Sequence, residues 1–355
     1  MAGKGYDKIV GIDLGNGMVK VRTVDSKNRP YHLVLPSAWA YKKDAGINVH
    51  SKTLEVDEFG IEDITYLWGD DVADISSIKD TYGHDNRYKT EAFHIMAKIV
   101  MAKIVADTGI KPTDKILIVT GVPSGESNTA REDEIREAFI GDTKGLHEVT
   151  VNGEEHIFKV AYVEVQSQAV ASVLGRYLDE DGFVADEEYE HMKVAVIDIG
   201  AGTTDLDIVD GLRRQPEYLS VQKGFRDVYD SIRSEIRKVY PSHSVTDYEL
   251  LRTMDKGKTE YKPSKIKSPV DFEKAMNDGI KEVVVDVQQA IMSKWKNQTD
   301  LDEILLVGGG ANLFEEKLSN VVEGLTIPEN FSTSNVEGYF RYGVYLATNG
   351  MVGAK

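Results

Sequence analysis

The chain of 355 residues contains no cysteine. That absence excludes disulfide scaffolds, thiolate zinc sites, iron–sulfur clusters and every mechanism with a cysteine nucleophile. Proline is scarce, at 9 residues, and the 31 glycines carry no collagen-like period, so neither low complexity nor disorder is signalled. No stretch approaches the ~18 uninterrupted apolar residues of a membrane span. Asp7 and Lys8 interrupt the N-terminal segment before a signal-peptide core could form. A cytoplasmic protein with no membrane partner is expected. Positive charge is in deficit: 42 Lys+Arg stand against 59 Asp+Glu, a formal net charge of −17. A field of that sign repels phosphate polymers and anionic lipid, so direct DNA binding is not expected. The one lysine-rich stretch, Lys256 to Lys267, reads as a solvated loop.

What the chain does have is an internal echo. Residues 8–17 read KIVGIDLGNG and residues 193–202 read KVAVIDIGAG, so Asp13 and Asp198 hold equivalent places about half the chain apart. Each copy starts as a buried strand, turns on glycines and continues in strand-like alternation, from Met18 to Val24 and from Thr204 to Val209. Helices are expected over Glu91–Asp107, after Ser124, over Gln168–Tyr177 and over Asp271–Trp295, with strands at Lys115–Thr120 and Glu303–Val307. The first helix contains a tandem MAKIV, from Met96 to Val105, whose period of five suits neither a helix face nor a solenoid repeat. The acidic stretch Asp179 to Glu190 reads as an exposed link between halves. Alternating strands and helices predict an α/β protein with mixed sheets.

The first turn, Asp13-Leu14-Gly15-Asn16-Gly17-Met18-Val19-Lys20, has two readings. Asn-Gly between strands is a strong type I′ hairpin signal. The same glycines also let successive backbone N–H groups converge into an anion-binding nest, with Lys20 adding positive charge and Asp13 a hard oxygen ligand for Mg²⁺. The second turn, Asp198-Ile199-Gly200-Ala201-Gly202-Thr203-Thr204-Asp205, repeats the pattern with hydroxyls in place of the lysine. If the halves face each other across a cleft, a polyphosphate could lie between the two turns with its metal flanked by Asp13 and Asp198. The third element, Gly308-Gly309-Gly310-Ala311, follows a buried strand and opens a helix, a place where backbone can approach a nucleotide closely.

Strand-DxGxGxxxK, strand-DxGxGTTD and strand-GGGA, in that order, resemble the three nucleotide motifs of the actin/DnaK-chaperone/sugar-kinase superfamily. No P-loop, kinase catalytic loop or HExxH competes with them. GIDLGNGMVKV, EILLVGGGANLF and the chain length are most similar to the ParM-type actin-like plasmid segregation ATPases, in the divergent form carried by Gram-positive plasmids. The resemblance implies an actin-like α/β fold with two related domains flanking a nucleotide cleft: domain I from 1–181 with a C-terminal return over 332–355, and domain II from 182–331. It implies ATP or GTP with Mg²⁺ as ligands. Asp13, Gly15, Asn16, Gly17 and Lys20 match the first phosphate loop, and Asp198, Gly200, Ala201, Gly202, Thr203 and Thr204 the second. Gly308 to Ala311 match the adenosine loop, and Gly224 lines the adenine side. The superfamily's connecting helix begins with a Glu or Gln that orients the attacking water. Gln166 fits that register and Glu164 is its rival.

The implied activity is nucleotide-driven polymerisation into dynamic filaments that segregate plasmid DNA through a ParR-like DNA-binding adaptor on a centromere-like site. At −17 per subunit, assembly is expected to strengthen as salt rises. The alternatives are a small-molecule kinase of the same superfamily, with Asp205 or Asp207 as base rather than as outward polar positions, a chaperone-like ATPase, and a bacterial cytoskeletal scaffold. With the third motif close to Lys355, no peptide-binding domain is expected. Neither terminus offers the amphipathic helix of a membrane-tethered scaffold.

Overall fold

The computed structural model describes residues 5–45, 54–75, 77–82, 86–141, 144–295 and 298–352. Residues 1–4 and 353–355, the two ends of the expected domain I, lie outside the described residues. The chain forms two compact units, Met1–His191 with Thr333–Lys355, and Met192–Ser332.

The first unit runs β1 (Lys8–Leu14), β2 (Met18–Val24), β3 (Pro30–Pro36), β4 (Ala38–Tyr41), β5 (Asp57–Ile61), β6 (Ile64–Trp68), β7 (Ile78–Asp80), α1 (Glu91–Thr108), β8 (Lys115–Val122), α2 (Ala130–Ile140), β9 (Leu146–Val151), β10 (Glu154–Ser167) and α3 (Gln168–Tyr177). The second runs β11 (Lys193–Ile199), β12 (Thr204–Asp210), β13 (Arg213–Arg214), β14 (Leu219–Val221), α4 (Phe225–Val239), α5 (Asp247–Asp255), β15 (Glu260–Tyr261), β16 (Val270–Asp271), α6 (Glu273–Lys294), β17 (Glu303–Val307), α7 (Ala311–Leu318) and β18 (Leu325–Thr326). A last helix, α8 (Ser334–Asn349), returns to the first unit.

The first sheet has the order β3-β2-β1-β8-β10-β9-β5-β6-β4-β7, and the second β13-β12-β11-β17-β18. Their leading halves are the same design. In each, a hairpin pairs antiparallel with its neighbour, and its first strand runs parallel to the next two: β1 beside β8 and β8 beside β10, then β11 beside β17 and β17 beside β18. The echo is kept in register, because Asp13 lies opposite Lys20 and Asp198 opposite Asp205.

The central strands are apolar because both faces are covered. Helix α1 has buried residues all around its circumference, including Met96, Ala97, Ile99, Val100, Met101, Ala102, Ile104 and Val105. This accounts for the MAKIV tandem: five residues advance a helix by about 500°, so the two copies face different sides, and both sides here are core. Thr90 caps its start through Phe93 N, and Gly109, at φ +69°, ends it. Helix α8 packs on α3 and β1 at very short range. A methyl at Gly338 would overlap the Ala171 carbonyl, and one at Gly11 would sit 2.8 Å from the Val336 oxygen. Small residues permit that approach, which buries Val336, Tyr339 and Phe340 against Ile9, Leu117 and Val119.

Four local expectations need correction. The helix placed directly after Ser124 begins only at Ala130, capped by Thr129, with a short 3₁₀ turn over Ser124–Glu126 between. Asp271 belongs to β16, so α6 starts at Glu273. Glu164 and Gln166 lie on the strand β10, and the helix starts only at Gln168. The acidic stretch Asp179–Glu190 is no link but a folded part of the first unit. Leu178 bridges Val184, Asp179 Oδ1 accepts from the amides of Asp181 and Phe183, and the buried Tyr189 accepts a hydrogen bond from Arg176. Strands β3 to β7 had no counterpart in the sequence reading.

Candidate functional site

In the first unit, β1 delivers Asp13 and β2 returns Lys20 opposite it. The Lys20 ammonium lies 3.4 Å from Asp13 Oδ2, both side chains largely shielded. The turn between them is not type I′, since Gly15, Asn16 and Gly17 all have φ outside the left-handed region that such a turn requires. A side chain at Gly15 would come within 2.8 Å of the Met18 carbonyl. Arg87 donates to the carbonyls of Leu14, Gly15 and Thr81, and Gly17 O accepts from Ser37 N. Carbonyls of the turn are thereby engaged by protein donors. Asn16 Oδ1 is buried and, among the described residues, has no hydrogen-bond partner. Such an atom loses water without compensation and suits a ligand donor. Arg87 stands outside every motif, so sequence reasoning missed it.

The sheet register decides where the two candidate water-orienting residues stand. Gly11 of β1 is level with Val119 of β8, and Val119 with Glu164 of β10; two residues further on, Gly121 is level with Gln166. Asp13 also lies two residues beyond Gly11. Asp13, Gly121 and Gln166 therefore form one row at the carboxyl ends of three parallel strands, where α/β proteins bind ligands. Glu164 sits one row further back, where its carboxylate interacts with Tyr162.

In the second unit, three predicted segments converge. The amides of Phe225 and Arg226, which open α4, donate to the carbonyls of Gly200 and Ala201, and Gly200 N donates to Thr203 O. Gly224 fits only as glycine, because a methyl there would lie 2.7 Å from Gly200 O and 2.9 Å from Ala201 O. Thr204 donates its hydroxyl proton to Lys223 O. Gly308, at φ +103°, passes so close to β11 that a methyl would stand 2.6 Å from Asp198 Oδ1, while Gly310 packs on the Phe225 ring. Gly309 is open, and Ala311 is buried at the start of α7. The second glycine turn is thus joined to the start of α4 through Gly200, Ala201 and Gly224, and Gly308 brings the third segment against Asp198.

Asp205 and Asp207 are not the outward polar positions that the hairpin pattern suggested. Asp207 is buried, and burial together with the neighbouring charges of Asp198 and Asp207 pushes the Asp205 carboxyl up to about 7. Ser220 and Thr203 donate hydrogen bonds to Asp205 and partly offset that rise. The hairpin sets the charges of Asp198 and Asp207 beside Asp205, a local excess of negative charge that suits a cation. The described residues contain no ready group of three or more ligating side chains for a metal. Mg²⁺ commonly takes one or two carboxylates and completes its shell with water and phosphate oxygens, so the want of a three-ligand group does not weigh against it.

Two family models match this chain: the N-terminal domain of actin-like proteins over residues 11–170, and the C-terminal domain of the archaeal actin homologue MreB-like proteins over residues 196–320. Between them they span most of the sequence. The duplicated sheet design and these matches define an actin-like fold, with an N-terminal part similar to actin-like proteins and a C-terminal part similar to MreB-like proteins. No curated protein sequence matches it. Among solved structures it is similar to the apo psk41 ParM protein, with TM-score 0.73 and 22% identity over 97% of this chain and 98% of that one. It is also similar to Ta0583, an archaeal actin homologue in complex with ADP, with TM-score 0.69 and 19% identity over 93% and 97%. A 15-stranded ParM filament from Clostridium botulinum gives TM-score 0.69 and 17% identity over 95% and 99%. Among the described residues no helix is long and apolar enough to cross a membrane.

Proposed function

We propose that the protein is an ATPase that polymerises on binding ATP and moves plasmid DNA through a basic DNA-binding adaptor. The observation that carries this reading is the duplicated hairpin, with aspartates at equivalent register on equivalent sheets, each followed by a glycine turn whose carbonyls are engaged by other parts of the fold. Solved actin-like proteins of the same fold include an ADP complex and a ParM filament. In this reading Gly15, Asn16 and Gly17 with Lys20 hold one side of the phosphates, and Gly200 to Thr204 hold the other. Asp13 and Asp198 hold Mg²⁺, which supplies charge neutralisation at the β- and γ-phosphates when bound. Gly308 to Ala311 and Gly224 serve the adenosine.

The chemistry asked of the protein is positional. Gln166 orients water through its amide, the turn amides meet charge that develops on the phosphoryl oxygens, and no covalent enzyme intermediate is needed. A heterologous contact between copies that does not close on itself yields a filament. The net charge of −17 keeps the subunits off bare DNA, which assigns the DNA contact to an adaptor.

Right-angle light scattering on adding Mg-ATP, with phosphate release followed in the same cuvette, tests the proposal. A rise in scattering that decays as phosphate appears is expected. Phosphate release with flat scattering would overturn the filament and favour a kinase or chaperone-like ATPase.

A further inference from the structure

Two surface segments of opposite charge have no role in the nucleotide site. Lys256 to Lys267 holds five lysines and one glutamate in a chain of net charge −17. The structure makes it an ordered hairpin. Strands β15 and β16 pair, Phe272 N donates to Thr259 O at 2.8 Å, and the buried Tyr261 hydroxyl lies 3.0 Å from His243 Nε2 and 3.3 Å from Glu249. At its tip Lys262, Lys265 and Lys267 are exposed, and Ile266 between them is 93% exposed. Among the described residues Lys262 and Lys265 form no ion pair. An isoleucine held fully in water at the end of a fixed hairpin costs solvation free energy that a covering surface would recover.

The second segment is the strap Asp179–Glu190, which carries seven acidic residues and no Lys or Arg. It is held on the first unit by the Arg176–Tyr189 hydrogen bond, the Arg22–Glu180 ion pair at 3.3 Å and Ala185 N donating to Tyr177 O at 2.8 Å. Gly182, at φ +76°, is pressed against the Tyr345 backbone of α8. Phe183, 57% exposed, and Val184, 40% exposed, stand amid the exposed carboxylates of Asp181, Asp186, Glu187 and Glu188. One patch is therefore apolar rimmed by ammonium groups, and the other apolar rimmed by carboxylates.

We propose that the lysine hairpin of one molecule docks on the acidic strap of a second copy of this chain, Ile266 against Phe183 and Val184. Charge complementarity selects a second copy as the partner, because this chain itself carries an apolar centre rimmed by carboxylates that matches the apolar centre rimmed by lysines. The patches differ, so the contact pairs unlike surfaces and extends into a filament where successive copies do not close on one another. This rests on the filament reading and names one of its contacts.

The test is a charge swap. K262E/K265E and E187K/E188K variants are compared with wild type by sedimentation velocity at low and physiological salt, and by scattering with Mg-ATP. Each variant alone should need at least about tenfold more protein to associate, while ATP hydrolysis per bound nucleotide is kept. Mixed in equal amounts they should co-associate, since both alternating contacts are again between opposite charges. Association of each variant equal to wild type, or a mixture no better than either alone, overturns the docking proposal. Sedimentation reads the contact without nucleotide, so a wild type that associates yet does not respond to Mg-ATP would count against the ATP-driven filament and leave the contact standing.

Discussion

Gln166 stands level with Asp13 because β8 joins β1 to β10 in parallel register, and Gly121 between them adds no side chain to the row. Glu164, two residues earlier, is set back and interacts with Tyr162. The two are therefore expected to behave differently. Gln166→Ala should slow phosphate release by roughly 10²-fold, the scale of one lost water-positioning or oxyanion contact. Glu164→Ala should stay within about threefold, as read by single-turnover hydrolysis; equal losses would return Glu164 to the site. A second residue-scale effect concerns stability. His147 is buried, stacked on Phe158, with Nε2 3.0 Å from Phe139 O, and burial lowers its pKa below the ordinary 6.5. A lowered folded-state pKa means the unfolded chain binds the proton first. The contribution is intact above pH 6.5 and is lost as pH falls through 6.5 toward the folded value. Urea unfolding should show stability declining from pH 7 to pH 5, with a shallower decline in His147→Phe.

At the scale of elements, the pairing of α3 with α8 fixes how the C-terminal return sits on the first sheet. Gly338 touches the Ala171 backbone, and Gly175 lies close enough that a methyl would be 3.2 Å from Gly338 N. No flexible side-chain end lies at the Gly338 contact, so the helices would have to separate. Gly338→Ala should cost about 1–3 kcal/mol, the range for overpacking a close-packed site, and lower the melting temperature by several degrees. A melting temperature unchanged within 1 °C, roughly a quarter of that expectation, would show that the helices part freely. The strap Asp179–Glu190 teaches the converse. Its composition reads as solvent-facing acid, and most of it is exposed, yet Tyr189 and the Leu178–Val184 bridge tie it down.

For the whole molecule, the predictions concern assembly. Asp198→Ala should still bind nucleotide and assemble, and should hydrolyse slowly enough to leave long-lived filaments in excess ATP, followed by scattering after a nucleotide pulse. Prompt disassembly would remove Asp198 from its role. Salt separates two electrostatic effects. Net repulsion at −17 weakens with ionic strength, which favours assembly, whereas the attraction between lysine hairpin and acidic strap also weakens, which opposes it. In K262E/K265E each reversal changes the charge by two, taking −17 to −21, so only repulsion remains. Its critical concentration should fall with salt more steeply than that of wild type, measured by sedimentation from 50 to about 200 mM, a range over which the screening length shortens appreciably.

The sequence by itself determined the strand-turn-strand echo, the spans of α1, α3 and β17, and the glycine turns. These are local: hydrophobic period, end caps and glycine spacing act over a few residues and leave their signature in the order of the chain. Only the tertiary structure decided that Asp13 and Gln166 share a row, that Arg87 engages the first turn, that Asp207 is buried and Asp205 half-buried, and that the acidic strap is folded. Each of those depends on which strands become neighbours and what packs over them, and residues distant in sequence carry no local pattern that announces such pairing. The backbone dihedrals of Gly15, Asn16 and Gly17 excluded the type I′ hairpin, which Gly-Asn-Gly permits by sequence alone.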